Sequence, residues 1–171
     1  MRMLCTGNPN RPTVARSIKK IFSDVDFVCR STGWDLRLWD GERLNLFTDK
    51  IKQYDVFVNS SFICNGGQMQ LLNVAYENYN EKMHVFNIGS TLEYTTRESK
   101  WGMVGIDKRA LRDRSMMLNL KEDNFKSTHI TPGGLNDQEP GHENWLNIDH
   151  IAETIEWILR RPFDVPHIGI E

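Results

Sequence analysis

The strongest constraint in this chain is a rhythm: short apolar runs of strand length alternate with stretches whose apolar residues recur every three or four positions. Residues 2–6 form an apolar strand that runs into Gly7-Asn8-Pro9-Asn10-Arg11-Pro12, a cluster of turn formers. A helix follows over 13–22, where Val14, Ile18, Ile21 and Phe22 share one face, Thr13 stands at the N-cap and Pro12 lies just outside it. The spacing then predicts strands over 26–30, 54–59, 84–90, 127–130 and 167–170. Between them it predicts helices over 42–53 (Leu44, Phe47 and Ile51 inward), 68–80 (Met69, Leu72 and Tyr76 on one side), 101–120, and 148–161, which Pro162 stops. Parallel neighbours need crossover connections, so this alternation predicts an α/β fold. The expected architecture is a single Rossmann-like, doubly wound parallel sheet with helices on both faces, one domain over residues 1–171. Residues 133–147 are too polar for the core and read as a mobile substrate lid beside the sheet's carboxyl edge.

Composition narrows the function classes. With 39% hydrophobic and 26% charged residues the chain carries enough apolar surface for a core, which excludes disorder. Lys and Arg number 21 against 23 Asp and Glu, a net charge of -2, so no positive field is available to hold nucleic acid. Apolar runs such as Val56 to Val58 fall far short of the ~20 residues that span a bilayer. The N-terminus lacks a signal-peptide core, and a cytoplasmic, membrane-free protein is expected. Cys5, Cys29 and Cys64 form no CxxC pair and read as buried free thiols. The five histidines show no HExxH spacing and read as surface or hydrogen-bonded core residues, so no metal is expected.

In open α/β sheets ligands bind outside the carboxyl ends of the strands, which makes the polar residues there the candidate site. In order these are Thr6-Gly7, Asp35-Leu36, Asn59-Ser60-Ser61, Asn87-Ile88-Gly89-Ser90, Lys108-Arg109-Ala110-Leu111 and Thr131-Pro132-Gly133. That order resembles the short-chain dehydrogenase/reductase family from end to end, in a chain trimmed around residues 30–36 and 59–65. The resemblance implies a nicotinamide cofactor. Its glycine-rich loop would begin at Thr6-Gly7, but Arg11 and Thr13 stand where the later two glycines belong. Backbone N–H groups at Asn8, Asn10, Arg11 and Thr13 together with the helix N-terminus still offer an anion site, against the alternative of a loop that only caps a helix. Arg30-Ser31 replaces the acidic residue that would bind a ribose 2′-hydroxyl, which favours NADP(H) over NAD(H); a solvated arginine is the competing reading. By the same resemblance Asp35-Leu36 contacts adenine, Asn59 closes the cofactor cleft, and Ser60, Pro132 and Gly133 also bind the cofactor.

The family's catalytic residues are Asn, Ser, Tyr and Lys, and the resemblance places Asn65, Ser90 and Lys108 in three of these roles, with Lys108 also binding the cofactor at its nicotinamide ribose. The tyrosine belongs four residues before the lysine, where this chain has Val104, which neither donates nor accepts a proton. Tyr94, the nearest tyrosine to Ser90, is either a substitute donor from the loop or a surface packing residue. Three functions remain open: an NADP(H)-dependent oxidoreductase on a small carbonyl or alcohol, a cofactor-binding pseudoenzyme without turnover, and an interaction protein that kept only the sheet. The helices over 68–80 and 101–120 resemble those that pair family members into two-fold dimers, and their apolar side chains Met103, Met116 and Met117 suggest a second buried face, hence a homodimer or higher homo-oligomer.

Overall fold

A computed structural model describes residues 1–36, 41–63, 66–80, 82–94, 101–121 and 124–171. Among the described residues eight strands and five α-helices follow in the order β1 (Met3–Thr6), α1 (Val14–Ile21), β2 (Val25–Val28), α2 (Gly41–Ile51), β3 (Val56–Asn59), α3 (Gly67–Asn78), β4 (His84–Ile88), α4 (Gly102–Lys121), β5 (Lys126–Pro132), β6 (Leu135–Asn136), β7 (Leu146–Asn147), α5 (Asp149–Leu159) and β8 (His167–Ile170). Single 3-10 turns cover Arg30–Thr32 and Thr91–Tyr94. Six strands form one parallel sheet in the order β2-β1-β3-β4-β5-β8. The chain winds outward from β1 to β2, then returns to add β3 on the other side, so the order reverses between β1 and β3. The α/β fold expected from the rhythm is therefore present.

Period-two alternation divides the strand residues between two apolar layers. Leu4, Phe57 and Val85 point to one side and meet Phe47 and Ile51 of α2, Leu71, Leu72 and Ala75 of α3, and Leu111 and Leu118 of α4. Met3, Cys5, Val56, Val58, Phe86 and Ile88 point to the other side and meet Val14, Ala15 and Ile18 of α1 and Ile151, Ala152, Ile155 and Ile158 of α5. Each such buried large side chain is worth roughly 1.5–3 kcal/mol, and with both faces covered the central strands read as continuous apolar runs.

Element identities match the sequence reading, and the differences lie at the ends. Strand β5 runs through Pro132, beyond the turn read from Thr131-Pro132-Gly133, because β8 pairs alongside it with Pro132 opposite Ile170. Thr13 stands at the N-cap of α1, but its hydroxyl donates to the Asn8 carbonyl at 3.0 Å instead of capping. Residues 133–147, expected to be irregular, contain the short parallel pair β6–β7. Cys5 and Cys29 are buried free thiols, whereas Cys64 lies outside the described residues. No helix among the described residues is long and apolar enough to cross a membrane.

His84, at the amino end of β4, hydrogen-bonds Thr128 at 2.8 Å and stacks on Phe86. The Thr128 hydroxyl proton goes to the Val165 carbonyl, so His84 Nε2 is the donor to Thr128. Burial, helped by the nearby Lys126 charge, pushes this imidazole down from 6.5 to about 4. Between those values the unfolded chain binds the proton that the folded protein refuses, so stability is full above pH 6.5 and falls as the pH drops toward 4. Urea titrations are expected to show His84 contributing about 3 kcal/mol to that loss. His84→Gln should flatten stability against pH over this window.

Candidate active site

Every strand of the main sheet is parallel, so the carboxyl ends gather on one edge, and a cavity of about 1320 Å³ opens there. It extends from Gly7, Asn8 and Thr13 at the start of α1, past Ser60 and Ser61 after β3, to Ser90 after β4 and Lys108 on α4. Pro132, Gly133, Trp145 and Leu146 wall it on the far side.

The β1 end is held closed by side-chain bonds. The Thr6 hydroxyl accepts the backbone N–H groups of Ser60 and Ser61 at 2.9 and 3.0 Å, and the Ser60 hydroxyl donates to the Thr6 carbonyl. Gly7 has a φ of 134°, and a Cβ placed on it would lie 2.9 Å from Ala15 Cβ and 3.3 Å from Ser60 Oγ. Only glycine lets the loop pass this close to α1 and β3. Beyond it the loop turns on itself. Asn10 N–H donates to Asn8 Oδ1 at 2.9 Å, Arg11 N–H to the Asn8 carbonyl at 3.3 Å and Thr13 N–H to the Arg11 carbonyl at 2.8 Å. Three of the four N–H groups assigned to an anion from sequence therefore have internal acceptors in this conformation.

A buried polar seam runs beneath the Ser90 end of the cavity. Asn59, which ends β3, donates from Nδ2 to the Gln68 carbonyl at 2.8 Å and to Asn87 Oδ1 at 3.0 Å. Gln68 Nε2 returns a bond to the Asn59 carbonyl at 2.8 Å, and Gln68 Oε1 accepts from Lys108 Nζ at 2.5 Å. Lys108 also donates to the Ile88 carbonyl at 2.7 Å, which ties α4 to the end of β4. Burial pushes the Lys108 ammonium down to about 8, although the negative charges of Glu93 and Asp107 oppose the shift. Asn87 continues the seam to the hydroxyls of Ser115 and Ser127 at 3.3 and 3.0 Å.

Behind Ser90 lies a second buried cluster. Glu93, 1% exposed, accepts from His129 Nε2 at 3.1 Å and from the Thr131 hydroxyl, which itself accepts from His167 Nε2 at 2.9 Å. Burial alone would raise the Glu93 carboxyl, but the bonds from His129 and Thr131 outweigh it and hold it below the usual range. Burial pushes the His129 imidazole below its usual range, against the pull of the Glu93 carboxylate. The Glu93 carboxylate is thus met by the donors of His129 and Thr131, with the Arg109 guanidinium on the Glu93 carbonyl at 2.9 Å. Gly89 makes room for it, since a Cβ there would lie 2.3 Å from His129 Nε2.

Of the residues assigned from sequence, Thr6, Gly7, Asn8, Thr13, Ser60, Ser90, Lys108, Pro132 and Gly133 stand in or directly beneath this cavity. Asn59 is fully buried in the seam, and Leu36 packs in the core against the α2–α4 layer. Arg30 and Ser31 are exposed in the 3-10 turn after β2, Asp35 is half-buried near them, and Asn10 and Arg11 are exposed on the loop. Tyr94 is 56% exposed, outside the cavity lining, with its hydroxyl 3.4 Å from His167 Nε2 and the Arg112 guanidinium over its ring. Asn65 lies outside the described residues. The sequence reading missed Gln68, Glu93 and His129. Their only signals were a polar residue opening an apolar helix and two ionisable residues near strand ends, patterns shared by many surface positions.

No protein-family model and no curated protein matches the sequence. Solved structures do match along its whole length. An apo SCOR enzyme from Clostridium thermocellum superposes with a TM-score of 0.77 at 15% identity, over 98% of this chain and 90% of that one. A short-chain dehydrogenase from Burkholderia cenocepacia in complex with NADP gives 0.74 at 14%, over 99% and 96%. An oxidoreductase (short chain dehydrogenase/reductase) from Brucella ovis gives 0.71 at 15%, over 100% of both chains. The chain therefore has the fold of the short-chain dehydrogenases/reductases, as the order of its strand-end residues implied.

Gly89→Ala is expected to destabilise the protein by about 1–3 kcal/mol, because the added methyl must displace the buried His129–Glu93 pair. Thermal melts should show a midpoint lowered by about 5 °C. An unchanged midpoint would mean the cluster yields freely.

Proposed function

We propose that this protein is a short-chain dehydrogenase/reductase that binds NADP(H) and interconverts a small carbonyl compound and its alcohol. The observation that carries this reading is the shared cavity: Gly7 at the start of α1, Ser60 and Ser61 at the point where the strand order reverses, and Ser90 with Lys108 beyond β4 all face one space of about 1320 Å³. Ligands of doubly wound sheets bind at such a reversal. The Gly7 cradle, which a Cβ would fill, suits a group pressed against the backbone. Asn8 and the N-terminus of α1 would hold the cofactor's phosphates, and Ser60 and Ser61 would close over it. When bound, a nicotinamide supplies or accepts a hydride. Ser90 would hold the substrate oxygen by its hydroxyl, and the buried Lys108 ammonium would bring positive charge to the same place.

Arg30 supports the choice of NADP(H). It is exposed directly after β2, the strand beside β1, where an arginine suits a 2′-phosphate. The complex of the Burkholderia relative with NADP fits this choice. A ligand that binds only the folded state raises its stability, by about 2.7 kcal/mol at a hundredfold excess over Kd. NADPH at that excess is therefore expected to lift the melting midpoint by about 5–10 °C. Arg30→Ala should cost NADPH about 1.5–3 kcal/mol, tenfold or more in affinity by calorimetry, and leave NADH unchanged. Equal losses for both cofactors would rule out the 2′-phosphate role, and no midpoint shift with either would rule out the function.

We also propose a homodimer through α4. Met103 and Met117 are more than half exposed on it, as are Ile106 and Leu120. Such a face is more apolar than an isolated chain's surface needs. Sedimentation at micromolar concentration is expected to show twice the 19.9 kDa chain mass. Only a 19.9 kDa species would contradict it.

A further inference from the structure

Reducing a carbonyl requires a proton for the oxygen as well as an electron pair for the carbon. The helical turn before Lys108 carries Val104, which holds no such proton. Four titratable side chains line the cavity among the described residues. Asp137 and His142 bond each other at 2.7 Å in the segment between β6 and β7, and Glu171 is the last residue. Lys108 is the one tied to the end of β4, two residues before Ser90.

We propose, building on the oxidoreductase reading above, that Lys108 itself delivers the proton to the oxygen bound by Ser90, with Gln68 as the positioning residue that aims it. An ammonium has three N–H bonds. Lys108 gives two of them to Gln68 Oε1 at 2.5 Å and the Ile88 carbonyl at 2.7 Å, which leaves the third for a group in the cavity that it lines. The Phe62 ring, 6.0 Å from Nζ, lines the same cavity. Gln68 cannot swing away, because its Nε2 is bonded to the Asn59 carbonyl and its own carbonyl accepts from Asn59 Nδ2.

In the reductive direction the carbonyl carbon gains a hydride, which a reduced nicotinamide supplies as it is oxidised. The C=O π pair moves to oxygen, an O–H bond forms there, and one N–H bond of Lys108 breaks to leave a neutral amine. Water in the cavity returns the proton. The charged groups that act on Lys108 are Glu93 from the 3-10 turn and Asp107 from its own helix, and it in turn acts on His129 from β5. Burial outweighs the two carboxylates and sets the ammonium to about 8, close to working pH, where a general acid is most effective. The acid form exists below that value, so carbonyl reduction should be fast below pH 8 and fall above it.

The test uses the full chain with NADPH and two carbonyl probes, p-nitrobenzaldehyde and 9,10-phenanthrenequinone. Alongside it, NMR of the cofactor-free protein labelled with 13C at lysine Cε follows the ammonium directly. One lysine signal is expected to titrate near pH 8, to vanish in Lys108→Arg, and to move up by about one unit or more in Gln68→Glu, whose added negative charge favours the ammonium. The falling limb of kcat should move with it. Lys108→Arg keeps the positive charge but does not release a proton near neutral pH, and its kcat should fall at least about 100-fold with NADPH affinity retained. If Gln68→Glu does not fold, the parent titration and Lys108→Arg still decide. A lysine signal that does not titrate between about pH 7 and 9, kcat within about threefold in Lys108→Arg, or NADPH binding without turnover of either probe each overturns this inference alone. Failure of the parent to bind NADPH overturns it together with the oxidoreductase reading.

Discussion

The interlock of Asn59 and Gln68 is the contact on which the site depends. Each side chain bonds the other's backbone, so the end of β3 and the first turn of α3 are fixed against each other by two amide bonds in a dry environment. Bonds of this kind are worth only about 1 kcal/mol each when made, but leaving one partner unpaired in the core costs more than that. The seam therefore enforces register more than it adds stability. Asn87 sits opposite Asn59 in the β3–β4 ladder and continues the seam to Ser115 on α4 and Ser127 on β5. Three strands and two helices are locked in one arrangement beneath the cavity.

Lys108 is held by this arrangement. A buried ammonium is costly unless its N–H groups are met, and here Gln68 and the Ile88 carbonyl meet two of them. The same burial that makes the group expensive lowers its proton affinity into the working range. Glu93 lies close enough to act on Lys108 without touching it, its carboxylate held by His129 and Thr131. Gly89 is the hinge of this second cluster, since any side chain there would occupy the place of the His129 ring. The two polar clusters thus meet the end of β4 at Ile88 and Gly89, next to Ser90, which lines the cavity.

The segment after β5 shows how polar sequence builds a wall. Residues 133–147 look like loop because their apolar residues are few, yet Leu135 and Leu146 pair in a short parallel ladder. The Trp145 ring stacks on His142 at 3.5 Å and lies against Gly134, which has no side chain to block it. Asp137 anchors His142. Aromatic stacking and the Asp137–His142 bond give this segment its shape where an apolar core would do so in a helix.

The rhythm of apolar runs fixes the fold class without any tertiary information, because strand and helix periodicities differ and parallel neighbours require crossovers between them. It also places Thr6, Gly7, Ser60, Ser90 and Lys108 at strand ends or on the adjoining helix, and the order of those ends carries the family resemblance. Strand order, by contrast, depends on long-range pairing: nothing local in β3 says that it will lie beside β1 opposite β2, and only that placement creates the reversal where the cavity opens. Gln68 reads as one more polar residue on a helix until α3 brings it to Asn59 and Lys108, which are 9 and 40 residues away in sequence. Glu93 and His129, 36 residues apart, become a buried pair only when β4 and β5 lie side by side. Sequence alone determined which side chains stand at the strand ends, because that is a property of local period and turn chemistry. Tertiary structure decided which of them are buried together and what protons they hold, because burial and partner distance exist only after distant segments have packed.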